Sequence, residues 1–197
     1  MDRGLAIFLD CSGSFQAAEK KELLNHIIGI IRNKEDWIPN ELLNDVEFSL
    51  YAVNNGIQKI AFDRELLNEE MFKGIFNADL FLKVIDSEIP LSYPVIFFSD
   101  GHYRSHTLNL MTNAFQNIER SFFTVGLGYD ANYSFLRMFS QSSNVFKTEE
   151  FSTAIKIALQ LISKDELLPS SPEDLCFPDE SESKNNNSVC SNEEDVF

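Results

Sequence analysis

Apolar and polar positions along this chain follow two rhythms: short solid apolar blocks, and stripes repeating every three or four residues. Residues 5–9 (LAIFL) and 95–99 (VIFFS) are solid blocks, the form of a strand covered on both faces. Residues 15–32 place Ala18, Leu23, Leu24, Ile27, Ile28 and Ile31 at helical spacing. The segments 45–53 (DVEFSLYAV) and 57–62 (IQKIAF) read as strands joined by Asn54-Asn55-Gly56, a hairpin signal because such residues tolerate positive φ. Residues 72–76 fit neither rhythm. Further along, 79–87 predicts a helix, 108–118 another, 122–127 a strand, 132–139 a short helix, 144–147 an edge strand and 151–163 a last helix. Six strands, mostly separated by helices, specify an α/β three-layer sandwich with a mainly parallel six-stranded sheet.

Composition divides the chain in two. Of its formal charge of −15, the stretch 164–197 carries −8, with ten acidic residues against two lysines, leaving −7 for residues 1–163. The same stretch holds three prolines and the run Asn185-Asn186-Asn187, so it lacks the apolar surface needed to offset its ordering entropy. Residues 1–163 are therefore expected to form the domain and 164–197 an acidic, largely disordered tail. Leu167, Leu168, Leu175, Phe177, Val196 and Phe197 are apolar anchors by which that tail would dock into a partner's groove. With 18 Phe and one Trp, the core is expected to rely on phenylalanine. The negative charge argues against nucleic acid or anionic membrane as partners. Nothing resembles a signal peptide, no apolar run approaches the ~20 residues of a membrane span, and three dispersed cysteines suit neither a disulfide framework nor zinc. A soluble, cytoplasmic protein is the expectation.

The two solid blocks share an ending. Leu9 is followed by Asp10, with Ser12 and Ser14 at two-residue steps, and Ser99 is followed by Asp100 and Gly101. In a parallel sheet, ligands gather beyond the carboxyl ends of the strands where strand order reverses. If the two strands are neighbours, Asp10, Ser12, Ser14 and Asp100 converge there, a set of hard oxygen donors suited to Mg²⁺ or Mn²⁺. The plainer readings are a turn or helix cap for the serines, with Ser14 as an N-cap, and core packing for Cys11. His102 and His106 form an H-x-x-x-H pair that zinc could use on one helical turn, though solvent-exposed loop residues are the plainer expectation. His26 reads as structural.

D-x-S-x-S after a buried first strand, a hairpin of strands two and three, and a fourth strand ending in S-D-G resemble the von Willebrand factor A domain across residues 5–163. The stretch VEFSLYAVNNG is similar to bacterial stand-alone A domains of the tellurite-resistance type. The resemblance implies strand order 3-2-1-4-5-6 and a metal-ion-dependent adhesion site. Ser12 and Ser14 would bind Mg²⁺ through their hydroxyls, with Asp10 and Asp100 acting through water, and a partner protein's Asp or Glu would complete the shell. One position departs from the pattern. In FNADL, Ala78 stands where the family has a threonine, leaving Asn77 or Asp79 as substitute oxygen donors. His102 and Arg104 would lie on the rim and tune partner choice.

An apolar strand ending in aspartate also opens haloacid-dehalogenase-type phosphatases, but these need a second acid where this chain has Ser12. No G-x-S-x-G, P-loop or dinucleotide glycine pattern appears. The expectation is therefore a binding protein, not an enzyme, and the resemblance to stand-alone bacterial A domains implies a scaffold or adaptor in a bacterial stress-response or defence system. The alternatives are a metal-independent interaction protein of the same fold, docking by its surface or tail, and a Mg²⁺-dependent hydrolase.

Overall fold

The computed structural model describes residues 3–13, 18–61, 67–116, 119–140 and 144–164. The fold lies within the unit Met1–Leu167. Ser14, the start of the 15–32 helix, Phe62, the end of the 108–118 helix and the whole tail segment 165–197 fall outside the described residues.

Six strands form one sheet: β1 (Arg3–Asp10), β2 (Val46–Val53), β3 (Ile57–Ile60), β4 (Val95–Ser99), β5 (Phe122–Gly126) and β6 (Val145–Phe146). Their order is β3-β2-β1-β4-β5-β6. Among the described residues only the β2–β3 pair is antiparallel. The helices are α1 (Ala18–Arg32), α2 (Asn40–Leu43), α3 (Ala78–Ser87), α4 (Ser105–Phe115), α5 (Tyr133–Leu136) and α6 (Phe151–Lys164). This is the expected three-layer α/β sandwich.

The solid apolar blocks exist because both faces of the central strands are covered. From β1, Leu5, Ile7 and Leu9 enter one core with Leu24, Ile27 and Ile28 of α1 and Ala154, Ile155 and Leu159 of α6. Ala6 and Phe8 enter the other with Phe81, Val84 and Ile85 of α3, Met111 of α4 and Leu136 of α5. This second core is where phenylalanine dominates. Phe8 stacks on Tyr51 at 4.7 Å between centroids and meets Phe81 edge-on at 5.1 Å. Phe76 and Phe97 lie 5.6 Å apart in the same cluster.

The hairpin forms, but not by the predicted turn chemistry. Val53 pairs with Ile57, so the loop has three residues, and neither Asn55 nor Gly56 adopts positive φ. Side chains shape it instead. Gly56 N donates to Asn54 Oδ1 at 2.9 Å, and Asn55 Oδ1 accepts from Ile75 N at 2.8 Å, tying the turn to the segment before α3. Of residues 72–76, Phe72 closes a 3-10 turn over Glu69–Phe72 and the rest is irregular.

Candidate functional site

β1 and β4 run side by side with Leu9 opposite Phe98, so Asp10 and Ser99 end neighbouring strands and Asp100 follows. The chain order reverses between these strands, the position where α/β sheets bind ligands. Asp10, Ser12 and Asp100, grouped on sequence grounds, lie at this one edge. Gly101 (φ +72°) turns the chain directly after Asp100, and an added Cβ would stand 2.8 Å from the Asn132 carbonyl oxygen.

Asp10 and Asp100 are both fully buried. Asp10 Oδ1 accepts from Ser12 N at 3.0 Å. Its Oδ2 accepts from the Ser99 hydroxyl at 2.9 Å and from the Tyr103 hydroxyl at 2.7 Å. The Ser99 and Tyr103 hydroxyls also touch each other, and Ser99 Oγ accepts from Gly101 N at 3.0 Å. Burial raises the Asp10 carboxyl above its ordinary range, against the lowering effect of the Ser12 and Tyr103 hydrogen bonds; the Asp100 charge adds to the rise. Burial and the Asp10 charge push the Tyr103 hydroxyl well upward. They act in the same direction on the Cys11 thiol, which is buried as expected.

Asp100 has a different partner. Its Oδ1 accepts from His102 N at 3.0 Å, and its Oδ2 accepts from Lys20 Nζ of α1 at 3.0 Å. The same ammonium donates to Asp130 Oδ2 at 3.0 Å in the loop after β5. The His102 ring meets the Asp130 carbonyl at 2.9 Å. Burial disfavours the Lys20 charge, but hydrogen bonds to two carboxylates outweigh this and raise its pKa. The Asp130 carboxyl is held below its usual range by Lys20.

Lys20, Ser99, Tyr103 and Asp130 were not singled out in the sequence. Lys20 did carry a signal, because a cation close to a helix N-terminus opposes the helix dipole unless an anion faces it. Ser99, the one polar residue of an otherwise apolar strand, carried another.

The remaining candidates are placed as follows. Asn77 caps α3, accepting from Leu80 N at 3.1 Å, while its amide donates to Asn55 O at 3.2 Å. Asp79 is exposed. Ala78 is buried against the phenylalanine core. His102, Arg104 and His106 are exposed, and α4 starts only at Ser105, so the two histidines do not share a helical turn. His26 is exposed on α1 rather than built into the core. Among the described residues, no group of three or more His, Cys, Asp or Glu is gathered to hold a metal ion. No described helix is long and apolar enough to cross a membrane. Two surface clefts of about 480 Å³ lie elsewhere, one around Phe115, Arg120 and Phe139 and one around Gly29 and Trp37; neither includes Asp10, Lys20 or Asp100.

A resident divalent ion requires several oxygen lone pairs directed at one point. Here Asp10 already accepts three hydrogen bonds, and Asp100 Oδ2 carries an ammonium. As arranged, Asp10 and Asp100 turn these lone pairs to the protein's own donors and not to one common point.

Neither a protein-family model nor a curated protein matches the sequence. Solved structures do match the fold. Proximal thread matrix protein 1 of the mussel byssus, with a zinc-occupied MIDAS motif, is 14% identical with a TM-score of 0.53; the match covers 81% of this chain and 48% of that one. A von Willebrand factor type A protein from Catenulispora acidiphila is 12% identical, TM-score 0.53, over 82% of this chain and 43% of that one. BatB from Bacteroides thetaiotaomicron, described as a conserved hypothetical protein, is 11% identical, TM-score 0.52, over 82% and 99%. This chain thus spans about half the length of the mussel protein. The fold is that of the von Willebrand factor A domain. At such identities the likeness extends to the fold alone.

Proposed function

We propose that this chain is a protein-binding module of A-domain fold whose partner docks directly on the carboxyl edge of the sheet. The observation that carries the reading is the rim around the buried charges. Tyr129, next to Asp130, is 95% exposed, and Ile75, whose neighbour Gly74 O accepts from Gly13 N, is 60% exposed. Large apolar side chains held out at a ligand-binding edge mark an interaction surface. Exposed His102 and Arg104 on the same rim suit a partner presenting acidic groups among apolar ones.

A non-enzymatic role is supported by Asp10, the residue a phosphatase would use as nucleophile, being fully buried behind three donors. A cytoplasmic scaffold or adaptor in a bacterial stress-response or defence system is the role this reading assigns, by analogy with the stand-alone tellurite-resistance-type domains that the stretch VEFSLYAVNNG resembles. A second reading keeps Mg²⁺ or Mn²⁺ between this face and the partner. It is favoured by the approach of Asp10, Ser12 and Asp100 and by the zinc-occupied MIDAS motif of the mussel protein.

The test is affinity capture from the source cell with wild type, with Tyr129→Ala/Ile75→Ser, and with wild type in chelator. Direct docking predicts a protein retained in chelator and lost with the double variant at unchanged melting temperature. Capture unaffected by the double variant would sink the proposal. Loss in chelator selects the metal-bridged reading.

A further inference from the structure

We infer that the resident cation of this site is the Lys20 ammonium, which takes the position in the charge network that a divalent ion holds in a metal-dependent adhesion site. This deepens the metal-free docking reading and rests on it. Three observations converge. The ammonium bridges Asp100 and Asp130 at 3.0 Å each, and Asp100 is fully buried, so the bridge neutralises a carboxylate that would otherwise be left charged in the interior. The Lys20 side chain is itself only 11% exposed, so the cation is held in place and not trailing in solvent.

The path of its stem is built into the loop. Gly128, at φ +85°, leaves the space in which an added Cβ would stand 3.3 Å from Lys20 Cε and 3.0 Å from Asp130 Oδ1. Two further donors fix the acceptors: His102 N holds Asp100 Oδ1, and the His102 ring meets the Asp130 backbone carbonyl.

The chemistry follows. A metal ion brings charge that can be removed by chelation, whereas a lysine brings charge fixed by the chain. The bridge also reaches Asp130, next to Tyr129, so the same cation anchors the most exposed residue of the rim. A site of this kind works at any metal concentration, and losing the lysine should uncover an oxygen-donor cradle with net negative charge.

The test is a Mn²⁺ titration by electron paramagnetic resonance, with thermal denaturation, on the full chain and on Lys20→Met. Wild type is expected to take up no Mn²⁺ and to melt within about 1 °C of the same temperature in Mn²⁺ or chelator. Lys20→Met is expected to bind Mn²⁺, its melting temperature rising by roughly 5–10 °C at a hundredfold excess over Kd. One Mn²⁺ bound per wild-type chain overturns the inference whether or not the variant folds. A folded Lys20→Met that takes up no Mn²⁺ overturns it equally. Either result leaves the docking face standing, which is tested separately by capture with the Tyr129→Ala/Ile75→Ser variant and in chelator.

Discussion

Replacing Tyr103 with Phe removes one oxygen from the most buried part of the site and leaves the ring in place. The ring packs 5.0 Å from Phe76 and 5.7 Å from Phe139, contacts that Phe retains. What is lost is the 2.7 Å hydrogen bond to Asp10 Oδ2. A hydrogen bond to a charged group contributes about 1.5–3 kcal/mol. For a domain of this size that corresponds to a fall in melting temperature of roughly 3–12 °C.

The loss should depend on pH, and its sign is fixed. Burial raises Asp10's folded-state pKa above the unfolded value near ~3.9. Its contribution to stability is therefore fully present below the unfolded pKa and is lost as pH rises through the folded pKa. Tyr103 opposes that rise by stabilising the carboxylate, so its removal should cost more as pH rises through the folded-state pKa of Asp10, and least in acid. Urea unfolding of wild type and Tyr103→Phe at pH 7 and pH 4 measures both. A difference below about 0.5 kcal/mol at pH 7, or an equal loss at both pH values, refutes the role assigned to the hydroxyl.

Three other outcomes are expected. Gly128→Ala forces a side chain into positive φ and against Asp130 and Lys20, and should cost about 1–3 kcal/mol in a urea melt. Asn77→Ala removes the α3 cap and the bond to Asn55, and should cost about 0.5–2 kcal/mol by the same measurement; no change would show that the cap is dispensable. Cys11 is buried, with its thiol pKa raised by burial and by the Asp10 charge, so Cys176→Ser/Cys190→Ser protein should react with Ellman's reagent only on unfolding. Labelling of that folded variant within minutes at pH 8 would contradict it.

The central strands were readable because nothing in them is ambiguous. Residues 95–99, bounded by Pro94 and Asp100, became β4 without a shift at either end. Helix ends were harder, since periodicity registers only apolar residues. α4 begins at Ser105, three residues before the first apolar position of the predicted helix, because Arg104 is the last extended residue. The segment 132–139 contracts to Tyr133–Leu136, with Asn132 turned outward as cap to Phe135 N. α2 was not foreseen; four residues are too few to show a period. At the site, Asp10 and Asp100 stood out as charges ending apolar blocks. A motif of oxygen donors gives no hint that an ammonium will fill it, and the meeting of Lys20 with Asp130, 110 residues away, is set by the fold alone.

The sheet's two borders have a consequence for self-association. β6 offers an incoming strand only Val145 and Phe146, and β3 offers four residues with Gln58 and Lys59 exposed. Lys59 is further occupied by Glu47 and the Tyr51 ring. Short borders, one of them bearing a lysine, resist the edge-to-edge stacking that seeds fibrils, and they are poor templates for a peptide adding itself as a seventh strand. Lengthening β6 by two or three β-branched residues would remove that protection and should raise the chain's tendency to aggregate.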